Sequence, residues 1–141
     1  MQLPAAMRIV YVVEADASVR EGLARLLDSS GFEARCCASL PEFLGLVPGI
    51  HGACVLLDVW DTRRCEAPFH AALHAVAKVL PVIALSASDD PTARRLAREL
   101  GARSFFRKPV DAAALLDAIE WAMQGEEPGS FPRGDAAPWL N

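Results

Sequence analysis

Four residues of this 141-residue chain, far apart in sequence, carry side chains suited to handling phosphate. Asp58 and Ser86 each end an apolar run, Glu14 ends a third, and Lys108 ends the short stretch that begins at Ser104. A carboxylate can attack phosphorus as a nucleophile. A hydroxyl can donate to a transferred oxygen, and an ammonium or a metal can offset the charge on such oxygens. Ala87, after Ser86, is small enough to leave room for a donor in line. Asp16, two residues after Glu14, offers a further oxygen ligand or, more simply, a helix cap.

These residues act together only if the elements before them bring their ends to one place. Strand and helix signals alternate five times. Residues 8–13 form a β-branched apolar run. Val19, Leu23, Leu26 and Leu27 then recur at helical spacing, and Gly31 closes that helix. Residues 33–37 read as a short second strand, and Ser39-Leu40-Pro41-Glu42 is a capping box that opens a helix with Phe43, Leu44 and Val47 inside. Residues 53–57 form a continuous apolar run up to Asp58, as in a strand buried on both faces. A polar stretch, 61–66, follows, and Pro68 starts a helix with Phe69, Leu73 and Val76 on one face. Residues 82–85 are the fourth strand. Asp90-Pro91 opens a helix carrying Leu96 and Leu100, which Gly101 ends. Residues 104–106 are the fifth strand, and Asp111 caps a last helix with Leu115, Leu116, Ile119 and Met123 inward. Alternating βα units predict an α/β fold of three layers, a parallel sheet with helices on both faces. In such a sheet, ligands bind outside the carboxyl ends of the strands, where the four polar residues fall.

Composition narrows the classes. The chain is 52% hydrophobic and 23% charged, as in a globular domain, with a net charge of −4. No Lys/Arg run supplies an electrostatic footprint for nucleic acid. The apolar runs are too short to span a bilayer, and Met1-Gln2-Leu3-Pro4 has no basic, signal-like character. Cys36, Cys37, Cys54 and Cys65 form no C-x-x-C pair, and three lie in or beside strand-like runs, which points to buried free thiols in a reducing cytoplasm. Cys65, in a polar stretch beside Arg63 and Arg64, is the candidate reactive thiol. The expected organisation is an extension at 1–7, a domain at 8–124 and a flexible tail or linker remnant, rich in Gly, Pro and charge, at 125–141.

The stretches Val10-Tyr11-Val12-Val13-Glu14-Ala15-Asp16-Ala17-Ser18-Val19-Arg20, Val55-Leu56-Leu57-Asp58-Val59, Val82-Ile83-Ala84-Leu85-Ser86-Ala87 and Phe105-Phe106-Arg107-Lys108-Pro109-Val110 are together specific. In them the chain resembles the receiver domain of bacterial two-component response regulators, most closely receivers of the FixJ type. The resemblance implies a five-stranded parallel sheet of flavodoxin-like (CheY-like) topology, order 2-1-3-4-5. It implies that Asp58 accepts a phosphoryl group from a sensor histidine kinase, that Ser86 is the switch hydroxyl and that Lys108 pairs with Asp58. Phe105 would be the aromatic whose position follows Ser86. The helix after Asp90, the fifth strand and the last helix would present the partner surface and a possible homodimer contact. Arg94, Arg95, Arg98, Arg103 and Arg107 lie there. Mg²⁺ would be held by Glu14, Asp58 and the Trp60 carbonyl, with Asp16 as a further ligand.

The pattern breaks in two places. Where the family has two adjacent acids after the first strand, this chain has Glu14-Ala15, which predicts weakened or absent Mg²⁺ binding. The family's Met-Pro turn and later Gly after the acceptor are replaced by Asp61, Thr62 and Glu66, and bulky Trp60 stands over the expected pocket. Two further readings therefore stand beside the switch: a phosphorylation-independent interaction module on the same scaffold, or an enzyme, a haloacid dehalogenase-type phosphatase. Glu14-x-Asp16 echoes that enzyme's motif, but Glu would replace its nucleophile. The reading adopted is a signalling domain and not an enzyme. His70 and His74, four apart, lack a third metal ligand and read as a solvated helix edge. Phe131 and Trp139 in the tail are candidates to dock on a neighbour.

Overall fold

The computed structural model describes residues 8–46 and 53–124. Val47, His51, Phe131, Trp139 and the segments 1–7 and 125–141 lie outside the described residues. Five parallel strands form one sheet in the order β2-β1-β3-β4-β5: β1 Ile9–Val13, β2 Glu33–Cys37, β3 Ala53–Asp58, β4 Val82–Ser86 and β5 Ser104–Arg107. The expected sheet order and strands are found, with ends shifted by one residue at most.

Alternation along the strands divides the core into two halves. Tyr11, Val13, Val55, Leu57, Val82 and Ala84 face one side, where they pack with Phe43, Leu73, Ala97 and Leu100. Those partners belong to α2 (Leu40–Leu44), α4 (Ala67–Ala77) and the helix α5 (Pro91–Glu99) with its cap. Val10, Val12, Cys54, Leu56, Ile83 and Leu85 face the other side, against Leu23 and Leu27 of α1 (Ala17–Ser29) and Leu115 and Ile119 of α6 (Ala112–Met123). Every residue of β3 is buried, as a central strand covered on both faces requires. Each fully buried Val or Leu contributes about 1.5–3 kcal/mol of transfer free energy, so this strand is a firmly anchored support for a side chain at its end.

The caps form as their sequences dictate. Asp16, Ser39, Asp90 and Asp111 each accept backbone N–H bonds at a helix start. Gly101 closes α5 at φ +90°, and a Cβ there would come within 2.8 Å of the Ala77 Cβ on α4. The strict βα alternation fails once. Residues read as the start of a polar stretch instead belong to a short helix, α3 (Val59–Arg63). Asp58 caps it, accepting from Asp61 N at 2.9 Å, and the buried Thr62 hydroxyl donates to the Asp58 carbonyl at 3.0 Å.

The cysteine expectations are corrected in part. All four are free thiols, and Cys37 and Cys54 are buried, but Cys36 is exposed on edge strand β2. The Cys65 Sγ lies 3.7 Å from the Asp61 carbonyl, and its pKa is raised by burial and by the nearby Asp61 and Glu66 charges. That is the opposite of an activated thiolate, despite Arg63 and Arg64 in sequence. No described helix is long and apolar enough to cross a membrane.

Candidate functional site

The chain leaves β1 for β2 on one side and then returns to β3 on the other, so the crevice of the sheet opens at the ends of β1 and β3. Val13 pairs with Leu57, which makes Glu14 and Asp58 emerge side by side. Asp58 pairs with Leu85, and Ser86 is the next residue on that strand. Lys108 follows β5, and its backbone N–H donates to the Ser86 carbonyl at 2.8 Å, tying the ends of β4 and β5 together.

The side chains complete what the register begins. The Lys108 ammonium donates to Glu14 Oε1 at 2.5 Å and to Asp58 Oδ2. Glu14 and Asp58 are only 4% and 5% exposed, so these charges are held away from bulk water. The remaining oxygens are also engaged: Glu14 Oε2 accepts from Asp16 N at 3.1 Å, and Asp58 Oδ1 from Asp61 N. Burial pushes the Glu14 carboxyl above its ordinary pKa, against the bonds from Lys108 and the Asp16 amide. For Lys108, burial opposes the charge, but the bonds to Asp58 and Glu14 outweigh it and raise its pKa. Among the described residues, no buried side-chain nitrogen or oxygen lacks a partner.

A further carboxylate, from the stretch that is simply polar in sequence, joins this group. Asp61 Oδ2 accepts from Ala15 N at 2.9 Å. One oxygen each from Glu14, Asp58 and Asp61 lies within 4.8 Å of the others. Hard carboxylate oxygens are the ligands Mg²⁺ takes, so this donor set fits such an ion. The available signal was the spacing: Asp58-Val59-Trp60-Asp61 puts an acid three residues after a capping aspartate.

Several other expected site residues have partners of their own. The Asp16 carboxylate accepts from Ser18 N, Ser18 Oγ and Val19 N, so it is engaged as the cap of α1 and lies outside the acidic group. Its pKa is lowered, first by the Ser18 side-chain bond. The Trp60 ring is 54% exposed and stacks with Arg63, whose Cζ is 5.1 Å from the ring centroid. The Ser86 hydroxyl is buried and accepts from Ser88 N at 3.0 Å. Phe105 is buried, with the Arg94 guanidinium 5.0 Å from its ring centroid, and Arg94 binds Asp89 at 2.6 Å. Arg95, Arg98 and Arg107 are exposed, and Arg103 is half-buried. His70 faces the Thr62 carbonyl at 2.6 Å and His74 the Glu99 carbonyl at 3.1 Å, so the pair serves two different carbonyls.

Known proteins share the sequence and fold of this chain. The family model described as the response regulator receiver domain matches residues 10–120. The transcriptional regulatory protein FixJ of Bradyrhizobium diazoefficiens is 30% identical over 121 residues, 86% of this chain and 59% of that protein. TdiR of Thauera aromatica, also named a transcriptional regulatory protein, is 35% identical over 81% of this chain and 50% of its own length. The chain thus spans about half the length of the curated relatives it matches. Among solved structures, the response regulator StyR matches with a TM-score of 0.69 at 36% identity, over 82% of this chain and 59% of that one. The structure titled FixJ-N shares the fold, with a TM-score of 0.73 at 24% identity over 90% of this chain and 98% of that one. Receiver domains are signalling modules of two-component systems rather than typical enzymes. On the family match and the buried Lys108-centred pocket, this chain belongs to the response regulator receiver domain family.

Proposed function

We propose that this chain is a cytoplasmic phosphoryl-accepting switch, with Asp58 taking the group from the phosphohistidine of a sensor histidine kinase. The observation that carries the reading is the Lys108 ammonium, held by two buried carboxylates at the crevice of the sheet. The Asp58 carboxylate oxygen attacks phosphorus, a P–O bond forms as the P–N bond breaks, and the imidazole leaves. Lys108 stands ready to exchange its bond to Asp58 for one to a phosphoryl oxygen. Mg²⁺, when bound by Glu14, Asp58 and the Trp60 carbonyl, supplies charge compensation for those oxygens.

The buried Ser86 hydroxyl is the group that reads the new charge. It gives up its bond from Ser88 N and donates to a phosphoryl oxygen. The loop after β4 shifts with it, and with that loop go Asp89, its partner Arg94 and the ring of Phe105 beneath. The surface that changes is therefore α5–β5–α6, with Arg95, Arg98, Arg103 and Arg107, a face for a partner or a second copy. The switch is a two-state element biased by one local charge.

The test is exposure of the full chain to a small-molecule phosphodonor and, separately, to beryllofluoride, both with Mg²⁺. The expected result is a mass gain of one phosphoryl group and a change in Trp fluorescence, both abolished by Asp58→Asn. No phosphorylation and no fluorescence change in the wild type, with partner binding intact in Asp58→Ala, would instead make this a phosphorylation-independent interaction module.

A further inference from the structure

We propose that Asp61 supplies, from the far side of the pocket, the carboxylate that Ala15 cannot, so that Glu14, Asp58 and Asp61 together bind one Mg²⁺-type cation. This rests on the phosphoryl-acceptor reading of the pocket. Taken alone, an alanine at position 15 predicts a weak or absent metal site. The structure places a different carboxylate against that same residue: Asp61 Oδ2 accepts the Ala15 amide at 2.9 Å. Its oxygen therefore occupies the space beside the main chain of the position that lacks an acid.

Geometry and charge agree with this substitution. The three oxygens lie within 4.8 Å of one another. Oxygens sharing a Mg²⁺ or Ca²⁺ ion at roughly 2.1–2.4 Å are at most about 4–5 Å apart, so little movement separates this group from a ligand shell. The group holds three carboxylates and one ammonium, Lys108, which pairs with Glu14 and Asp58, so two negative charges are left over within it. A single dication balances them. The nearby guanidinium groups are engaged otherwise: Arg20 donates to the carbonyls of Glu14 and Ala15, and Arg63 stacks on Trp60.

The departure at 15 and the departure after Asp58 then have one cause. The Asp58 side chain caps α3 through Asp61 N, and the Thr62 hydroxyl fastens the same turn to the Asp58 carbonyl. That turn aims position 61 back across the pocket toward Ala15. A loop of other geometry would not deliver an acid there.

Asp61→Asn is the informative variant, because its side-chain oxygen still accepts the Ala15 amide while the charge is lost. Calorimetric titration of the full chain with Mg²⁺ reads the site directly, without a phosphodonor. We expect one ion per wild-type chain and a loss of affinity of about tenfold or more in Asp61→Asn, since affinity follows the ligand charge count. The double variant Asp61→Asn with Ala15→Asp should recover most of it. Equal affinity in wild type and Asp61→Asn, both folded by circular dichroism, would leave Asp61 a mere brace and overturn the proposal. So would a wild-type chain that binds no Mg²⁺. Phosphodonor labelling of Asp58 separates the two ideas: labelling with an Asp61-independent metal site sinks only this inference, and an Asp61-dependent site without labelling sinks only the switch.

Discussion

The pocket at the end of β3 and the surface at the start of α5 both hold bound charges, yet they are built differently. In the pocket, one ammonium joins acids 94 and 50 residues away in sequence, and the acids are nearly inaccessible. At α5, Arg94 pairs with Asp89, five residues before it, and their side chains are 27% and 38% exposed. Breaking a buried pair strands a charge, whereas an exposed pair hands its partners back to water. The pocket is therefore a fixed point of the fold, while the α5 start can rearrange at small cost. A switch needs both: a rigid place to receive a charge and a loosely held place to report it.

The largest effect that tests this contrast is Lys108→Met. It leaves Glu14 and Asp58 facing each other with no cation between them, at an expected loss of about 3 kcal/mol in urea unfolding with chelator present. Asp58→Asn should cost much less, because Lys108 keeps Glu14 and one of the crowded negative charges disappears. If the two variants lose stability equally, the pocket is a set of independent pairs and not a group short of positive charge.

A middle-sized effect belongs to Thr62. Its fully buried hydroxyl fastens α3 to the end of β3 through the Asp58 carbonyl. Thr62→Val keeps the shape and removes that bond, with an expected loss of about 1 kcal/mol. Amide hydrogen exchange should localise the loosening to residues 58–64. Uniform protection there in the variant would mean that packing alone holds the turn.

The same turn marks the limit of what the sequence reveals. The strands announce themselves by unbroken apolar runs, and the placement of Asp58, Ser86 and Lys108 at their ends follows from the parallel topology. Helix α3 does not, because five residues are too few for a helical period to register and their polar followers mimic a loop. Asp61 is hidden with the helix, because its role depends on where one turn of backbone aims it. Cys65 departs from expectation for a related reason: its sequence neighbours are cations, while the fold turns the thiol toward the Asp61 carbonyl. Exposure of Cys36 follows from the edge position of β2, which a strand pattern alone does not disclose.

The smallest expected effect lies on the exposed side of the contrast, at Asp90. Its carboxylate caps α5, accepting from Ala93 N at 2.7 Å and from Ser88 Oγ at 2.9 Å. The backbone bond first, and the Ser88 bond second, hold its pKa below the ordinary aspartate value. A carboxyl whose pKa is lower in the folded chain stabilises the fold above its unfolded pKa, near 3.9. That contribution disappears as pH falls through the lower, folded value. Asp90→Asn retains the cap without the titration. Near pH 7 the variant should match the wild type closely, and its urea midpoint should fall less steeply below about pH 4. Because Asp90 is exposed, the difference should also shrink as salt is added. A steep acid loss that persists unchanged in the variant would assign the acid sensitivity of this surface to other groups, and the α5 start would then owe its looseness to something besides exposed, separable charges.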